Sequence, residues 1–167
     1  PSPIEVRTES LYQESNKLYV GSFSDGVYVV NLSNNTSSFL NFVPNVPVRT
    51  IMPTKKNSIL IATDGAGLYE VDNHTAQLKN LYITNEDDEM SLSGNTVADV
   101  FVDDDNCFWV ATYTNGISYL DSDNRHIHWI KHEKNNNNSL ISNHVNVIFE
   151  DSEGDMWYGT NNGVSLH

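Results

Sequence analysis

Basic residues are scarce in this chain. Its 167 residues include nine Lys and Arg against 22 Asp and Glu, which gives a formal net charge of −13. Nucleic-acid binding requires clustered Lys and Arg that neutralise phosphates, and attachment to anionic lipids requires a similar basic patch. The composition therefore argues against a nucleic-acid partner and against adhesion to an anionic membrane.

Cysteine, long apolar runs and helical periodicity are lacking as well. Cys107 is the single cysteine, so there is no disulfide framework, and the compartment cannot be read from cysteine usage. No apolar run approaches the roughly 20 residues of a membrane span and no signal peptide opens the chain, so we expect no membrane insertion within this segment. The opening residues Pro1, Ser2 and Pro3 suggest a cut inside a longer protein. Apolar spacing of three and four is nowhere sustained, which disfavours helical repeats.

The chain instead contains a repeated pattern of three short strands. In the last copy, an apolar β-branched segment at 145–150 is followed by a turn, a strand at 156–160, a second turn and a strand at 164–166. The same pattern is found at 97–120 and at 48–71, and more weakly near the start of the chain. Outer fourth strands are predicted at 38–42, 77–83 and 126–131.

The period of the repeat predicts a β-propeller. Leu60, Trp109 and Trp157 occupy one position and are 49 and 48 residues apart, and a fainter first copy centres on Tyr19. Several short strands per unit at a period of about 40–50 residues are typical of propeller blades. A kelch propeller has a similar period, but its Gly-Gly pair is missing. The predicted fold class is all-β, with blades of four antiparallel strands in an open partial propeller of about three and three-quarter blades.

Four blades are predicted in chain order. They cover 1–43, 44–84, 85–132 and, with strands one to three only, 133–167. We expect all four to be one fragment of a larger propeller domain, whose remaining blades belong to the same protein. The missing outer strand and the incomplete ring leave the terminal blade faces exposed, and because these faces are apolar we expect them to self-associate.

Two longer connectors lead into the third and fourth blades. They cover 84–95 and 132–143, and their Ser-Leu pairs, Ser91-Leu92 and Ser139-Leu140, are 48 residues apart. The Asn run at 135–138 alone is typical of a low-complexity linker. Since it is in register with the repeat, we predict an ordered loop in which Leu92 or Leu140 packs between blades.

Most repeated residues have a structural interpretation. Asp103 and Asp151 are expected to accept backbone N–H bonds across a tight turn, and Trp109 and Trp157 to be wedges between blades. At one position only a small side chain, Ala111 or Gly159, is expected to fit. The repeated structural positions are Asp103, Trp109, Ala111, Asp151, Gly154, Trp157, Gly159, Thr160 and Gly163.

This motif resembles the two-component regulator propeller repeat. The pattern Val-x-x-Ile-x-x-Asp-x-x-Gly-x-x-Trp-x-Gly-Thr-x-x-Gly, with Ser-Leu-x-x-Asn before it, is matched by the last copy from Val145 to Gly163. The third copy departs at Asn106 and Ala111, and the second lacks both the Asp and the Trp. The resemblance implies an extracytoplasmic, periplasmic ligand-sensing region of a bacterial sensor histidine kinase, often a hybrid kinase that controls polysaccharide use. It also implies a homodimer in the full receptor and no enzyme activity in this segment.

Few residues suggest catalysis or metal binding. The run at 103–106 is acidic enough to suggest calcium, but Cys107 and Trp109 cannot supply the further ligands that a calcium loop needs. His126 and His128 lie two residues apart without a third ligand, and no nucleophile motif is present. We therefore predict no metal and no cofactor. A protein-interaction scaffold and a propeller-fold polysaccharide-active enzyme remain as alternative functions.

The candidate ligand site is predicted on the loops that join second to third strands, because these loops vary between copies while the strands do not. Aromatic residues there could stack on a sugar ring, and polar ones could bond its hydroxyls. The acidic balance favours a neutral or weakly charged oligosaccharide unless Arg7, Arg49 or Arg125 cluster locally. The predicted ligand-binding residues are Phe23, Asp25, Asp64, Tyr113, Asn115 and Asn161.

Overall fold

The structure is a computed structural model that describes residues 5–123 and 126–166. These residues form fifteen β-strands in four sheets. The strands are β1 (Thr8–Glu14), β2 (Lys17–Ser22), β3 (Val27–Asn31), β4 (Thr36–Phe39), β5 (Val48–Pro53), β6 (Ser58–Thr63), β7 (Leu68–Asp72), β8 (Leu78–Tyr82), β9 (Val97–Val102), β10 (Phe108–Thr112), β11 (Gly116–Leu120), β12 (Ile127–Ile130), β13 (Val145–Glu150), β14 (Met156–Thr160) and β15 (Gly163–Leu166).

Each sheet is built from strands that are consecutive in the chain. The first three sheets have four antiparallel strands, in the orders β1-β2-β3-β4, β5-β6-β7-β8 and β9-β10-β11-β12, and the last has three, β13-β14-β15. The first strands of successive sheets contact one another, from β1 to β5, β9 and β13. The described residues contain no helix, and so none that could cross a membrane. The predicted class, all-β propeller blades in an open arrangement, is confirmed.

The strand bounds of the last three sheets agree with the predicted ones to within one residue, whereas the outer strand of the first sheet differs by more. The fourth strand of the first sheet was predicted at 38–42 but covers Thr36–Phe39. The Asn34 side chain accepts a hydrogen bond from the Thr36 amide (3.1 Å), which closes the preceding turn early, and a turn from Leu40 to Val43 (3.0 Å) ends the pairing. Predictions about residues 1–4, Arg125 and His167 lie outside the described residues.

The apolar core lies between the sheets. One buried cluster joins the first and second sheets through residues such as Tyr19 and Ile61, and another joins the second and third sheets through residues such as Leu60 and Phe108. A third joins the last two sheets. Leu92, with no exposed surface, belongs to the second cluster, and Leu140 belongs to the third. Both connectors are therefore ordered, and both leucines pack between sheets as predicted.

The repeated Asp organises the turn after the first strand. Asp103 accepts hydrogen bonds from the amides of Asp105 (3.1 Å) and Cys107 (2.8 Å), as predicted. Its other oxygen accepts a bond from the indole of Trp109 (2.9 Å), which the sequence did not reveal. Asp151 repeats the arrangement with Trp157 (2.7 Å). Each Asp thus fixes both the turn and the orientation of the tryptophan in the next strand.

Close contact explains the position that allows only small side chains. A Cβ atom placed on Gly21 would lie 2.6 Å from a methyl carbon of Val48 in the next sheet. A Cβ on Gly159 would lie 2.6 Å from a methyl carbon of Val147. Alanine fills the same position without exposure at Ala111.

The two repeated tryptophans differ in their surroundings. Trp109 is 9% exposed and its ring centroid lies 6.1 Å from that of Tyr158 in the fourth sheet. Trp157 is 36% exposed, because its face of the fourth sheet has no further sheet packed against it. Trp109 therefore packs between the third and fourth sheets, whereas no sheet of the described residues covers Trp157, whose role as a wedge stays a prediction. The exposed apolar residues of that face are Val147, Phe149, Trp157, Val164 and Leu166.

A buried carboxylate lies in the second sheet. Glu70 is 4% exposed and accepts hydrogen bonds from Ser58 (2.7 Å), Asn80 (2.8 Å) and Tyr82 (2.9 Å), with the Lys79 ammonium 3.8 Å away. Burial alone would raise the pKa of Glu70, but these bonds and the lysine charge outweigh it and lower the pKa below its ordinary value. Glu70 is therefore ionised in the folded protein.

We expect Trp109→Ala to lower the free energy of unfolding by about 3–5 kcal/mol, the cost of removing a large side chain from a packed interior. Trp157→Ala should cost only about 1–2 kcal/mol, since no sheet covers that ring. Urea unfolding of the two variants measures the difference. Equal losses would mean that another molecule covers the face of the fourth sheet in solution.

Glu70 should make the stability of the protein depend on pH. Its folded pKa is lowered, so the folded protein binds fewer protons than the unfolded one, and the stabilisation is complete above the ordinary carboxyl pKa. The stabilisation should be lost as pH falls through that value towards the lower folded pKa. Melting temperatures of the wild type and Glu70→Gln should therefore converge below about pH 4, with the wild type more stable at neutral pH. A constant difference between the two proteins across this range would contradict the assignment.

Candidate functional site

One end of the arc, here called the loop face, carries the loops between second and third strands and the connectors between sheets. The side-chain hydroxyl at the end of each second strand makes a hydrogen bond within the loop that follows. Thr63 donates to the carbonyl of Gly67 (2.7 Å), Thr112 to that of Gly116 (2.8 Å) and Thr160 to that of Gly163 (2.9 Å). These bonds fix the residues directly after the strands, including Asp64, Tyr113 and Asn161.

The connectors lock the loops of neighbouring sheets together. The Asn95 side chain accepts a bond from the amide of Thr84 (2.8 Å), and its carbonyl accepts bonds from the amides of Gly65 (3.1 Å) and Gly67 (2.9 Å). Asn143 has the same role one repeat later. Its side chain accepts a hydrogen bond from the amide of His132 (2.6 Å), and its carbonyl accepts one from the amide of Gly116 (2.9 Å). Loop positions are thus determined by backbone bonds, which leaves their side chains free to vary.

Each first strand carries a β-bulge near the loop face. Thr8 pairs with Ser22 and Ser10 with Gly21, so Glu9 is the extra residue of β1. In β5 the same irregularity makes Arg49 the extra residue. A bulge reorients the side chain of the inserted residue. The bulge therefore explains how the charged side chains of Glu9 and Arg49 are accommodated in strands that otherwise pack in the core.

Arg49 is the centre of a cluster between the first three sheets. Its guanidinium forms an ion pair with Asp64 and lies 3.6 Å from a Glu9 carboxylate oxygen. It also lies over the ring of Tyr113, 5.9 Å from the centroid. The three charged side chains are only 21–28% exposed, and the buried Nε of Arg49 has no hydrogen-bond partner in the described part of the chain.

Further contacts extend this cluster in both directions. The Arg7 guanidinium lies 4.0 Å from the ring centroid of Phe23 and 3.4 Å from the Glu9 carboxylate. At the other end, the ring of His144 meets that of Tyr113 edge-on at 5.2 Å. The resulting row of contacts crosses all four sheets and is here called the arginine ridge. Its members are Arg7, Glu9, Phe23, Arg49, Asp64, Tyr113 and His144.

The charges of the arginine ridge are balanced. Burial alone would lower the pKa of Arg49, but the hydrogen bond to Asp64 and the negative charges of Asp64 and Glu9 outweigh it and raise the pKa. Two guanidiniums thus oppose two carboxylates, beside two aromatic rings. Among the described residues no three His, Cys, Asp or Glu side chains lie close enough to hold a metal ion. The arrangement offers hydrogen-bond donors, acceptors and aromatic surfaces.

The ridge contains half of the residues predicted from the sequence. Phe23, Asp64 and Tyr113 belong to it. The other three contact different partners. Asp25 and Asn115 accept bonds from their preceding neighbours Ser24 (2.8 Å) and Thr114. Asn161 accepts a bond from Ser142 of the second connector (2.7 Å). Glu9 and His144 were missed. The signal for Glu9 was a charged residue in a first strand, at the position that Arg49 occupies one repeat later.

The family described as the two component regulator propeller matches residues 91–114 and 139–162. Each matched segment covers the end of a connector, a first strand, the Asp turn and a second strand. The chain thus contains at least two copies of this repeat, as the motif indicated. No curated protein matches the chain.

Solved propeller-like structures are similar to the chain. One is the extracellular domain of a protein assigned as a hybrid two component system of B. thetaiotaomicron, with 27% identity and a TM-score of 0.77 over 95% of this chain. The chain spans only 20% of that domain. A second is the extracellular domain of a B. thetaiotaomicron protein assigned as a one component system, with 18% identity and a TM-score of 0.55. The similarity covers 100% of this chain and 28% of that domain. A third is a computationally designed protein, with 12% identity and a TM-score of 0.68. The similarity covers 99% of this chain and 93% of the designed protein. The last two show similarity of fold alone.

Removal of Arg49 should destabilise the loop face. Arg49→Leu leaves the partly buried Asp64 carboxylate without its cation and Glu9 with Arg7 alone, so we expect a loss of about 1–3 kcal/mol in the free energy of unfolding. Asp25→Ala should have little effect, because that carboxylate accepts a bond only from its neighbour Ser24 among the described contacts. Thermal unfolding of both variants tests the difference. The triple variant Glu9→Gln, Arg49→Leu, Asp64→Asn should recover part of the loss, and no recovery would contradict an electrostatic origin.

Proposed function

We propose that this chain is part of the extracytoplasmic, ligand-sensing propeller of a two-component sensor histidine kinase, exposed to the periplasm. Two observations support the proposal. The chain carries two matched copies of the two component regulator propeller repeat, and a structurally similar protein is the extracellular domain of an assigned hybrid two component system. Since the chain spans a fifth of that domain, the remaining blades would come from the same protein, which would act as a homodimer.

The observation that carries the ligand proposal is the arginine ridge. It crosses the loop face of all four sheets and combines the rings of Phe23 and Tyr113 with the charged groups of Arg49, Glu9 and Asp64. Sugar rings present C–H faces that stack on aromatic rings, and hydroxyls that both donate to carboxylates and accept from guanidiniums. An oligosaccharide therefore fits this chemistry.

The charge balance narrows the ligand class. Arg7 and Arg49 do cluster, but Glu9 and Asp64 neutralise them, within a chain whose net charge is −13. A highly sulfated or uronic-acid-rich ligand would be repelled overall. We therefore propose a neutral or weakly charged oligosaccharide, bound by the complete ectodomain. The segment itself has a regulatory rather than a catalytic role in this account.

Calorimetry on the complete ectodomain with a panel of glycans tests the proposal. Tyr113→Ala should weaken binding of the cognate neutral glycan by about tenfold, the effect of losing one stacking partner. Tyr28→Ala is the matched control, since Tyr28 packs against Phe39 in the outer part of the first sheet (5.1 Å between centroids). Unchanged affinity in Tyr113→Ala would remove the ridge from the site. Binding of heparin-like glycans alone would contradict the charge argument.

A further inference from the structure

The two long connectors share one backbone arrangement. In the first, the Ser91 hydroxyl accepts a bond from the amide of Asn85 (2.8 Å) and donates to its carbonyl (3.0 Å). In the second, the Ser139 hydroxyl makes the same two contacts with Glu133 (2.9 and 3.3 Å). Each serine therefore closes a rigid loop at the outer rim of the loop face.

The side chains on the two loops differ in charge. Residues 86–89 of the first loop are all carboxylates, whereas the equivalent 134–137 are one Lys and three Asn. The backbone needs an acceptor at only one of these positions, because Asp88 accepts a bond from the Met90 amide (2.9 Å) as Asn136 does from the Asn138 amide (3.0 Å). The loop geometry thus gives no reason for the exposed carboxylates of Glu86, Asp87 and Glu89. No ion pair within the described ranges involves them.

A groove lined partly by exposed apolar side chains borders the acidic loop. It consists of two adjoining depressions of about 410 and 360 Å³, which share Met90 and Ile127. Met90 is 60% exposed, and Trp129, 37% exposed, is held in place because its indole donates to the carbonyl of Ser91 (2.8 Å). The apolar side chains that line this surface, the connector groove, are Leu81, Ile83, Met90, Trp129 and the largely buried Ile127. Polar side chains line it as well, among them Asp88, Glu89, His126 and His128.

From this juxtaposition we infer that the connector groove docks a basic, extended segment of a partner protein. Large apolar side chains of that segment occupy the two depressions, and its Lys or Arg residues face Glu86, Asp87 and Glu89 across the rim. An extended segment suits the site because β8 and β12 are the outermost strands of their sheets and can accept strand addition. Met90 adapts to different apolar side chains, since its thioether chain is flexible.

Charge argues against a second copy of this chain as the occupant. Each copy carries a net charge of −13, and a second copy of the acidic loop would meet the first across the groove. One basic group borders the groove, since the Lys131 ammonium lies over the ring of Trp129, 3.7 Å from the centroid, and His126 and His128 also line it. The three loop carboxylates outnumber this lysine. The inference does not depend on the arginine ridge, which adjoins the inner strands.

Selection from a library of short random peptides, followed by fluorescence anisotropy on the synthetic peptides, tests the inference. The enriched peptides should contain at least two large apolar residues together with Lys or Arg. Two variants should weaken their binding by about tenfold or more: Met90→Ala, and the triple variant Glu86→Gln, Asp87→Asn, Glu89→Gln. Both change exposed side chains that no backbone bond of the loop requires, so both should fold.

A charge-matched control separates docking from general attraction. The triple variant Glu150→Gln, Glu153→Gln, Asp155→Asn removes three carboxylates from the fourth sheet and should leave binding unchanged. Equal weakening by both triple variants would overturn the inference, as would the enrichment of no peptide or of peptides without the apolar and basic pattern. Sedimentation that shows a dimer abolished by Met90→Ala would make a second copy the occupant and would also overturn it.

Discussion

Packing of one sheet against the next is the interaction on which this structure depends. No single sheet encloses a core, and the buried side chains form three layers between successive sheets. Leu92 and Leu140 complete two of these layers from the connectors. Consequently each sheet needs a neighbour on both faces, and the last sheet leaves Phe149 and Trp157 exposed. The architecture is therefore that of an open arc.

Because the sheets and their turns are held by repeated residues, the residues that maintain the scaffold differ from those available for recognition. Repeated polar side chains such as Asp103, Thr112 and Asn143 bond to backbone groups and hold turns, loops and connectors in place. Other side chains are then not needed to hold the turns and connectors. The arginine ridge and the connector groove both occupy such positions, one beside the inner strands and one at the outer rim. Two distinct recognition surfaces can thus exist on one repeat scaffold.

Sequence reasoning was most successful where packing dictates the residue type. The inner strands of each repeat must be apolar on both faces, so β13 and β14 were predicted with their observed bounds, and the predicted copies at 48–71 and 97–120 begin where β5 and β9 begin. The outer strand β4 is exposed along its length, and its bounds depend on local turns that carry little apolar signal. In the candidate site, Asp64 and Tyr113 were found because they follow second strands. Glu9 and His144 were missed because their contacts depend on a bulge and on the approach of neighbouring sheets, which the repeat pattern does not encode.

The central claim is that the loop face, with the arginine ridge, is the sensing surface. Hydrogen–deuterium exchange of the complete ectodomain, with and without the neutral oligosaccharide that binds it most tightly, tests this most directly. The account predicts slower exchange at residues 7–9, 23–25, 47–49, 64–66 and 113–115. Exchange at the turns of the opposite end, 54–57, 103–106 and 151–154, should not change. Protection confined to the opposite end, or to blades outside this chain, would contradict the account.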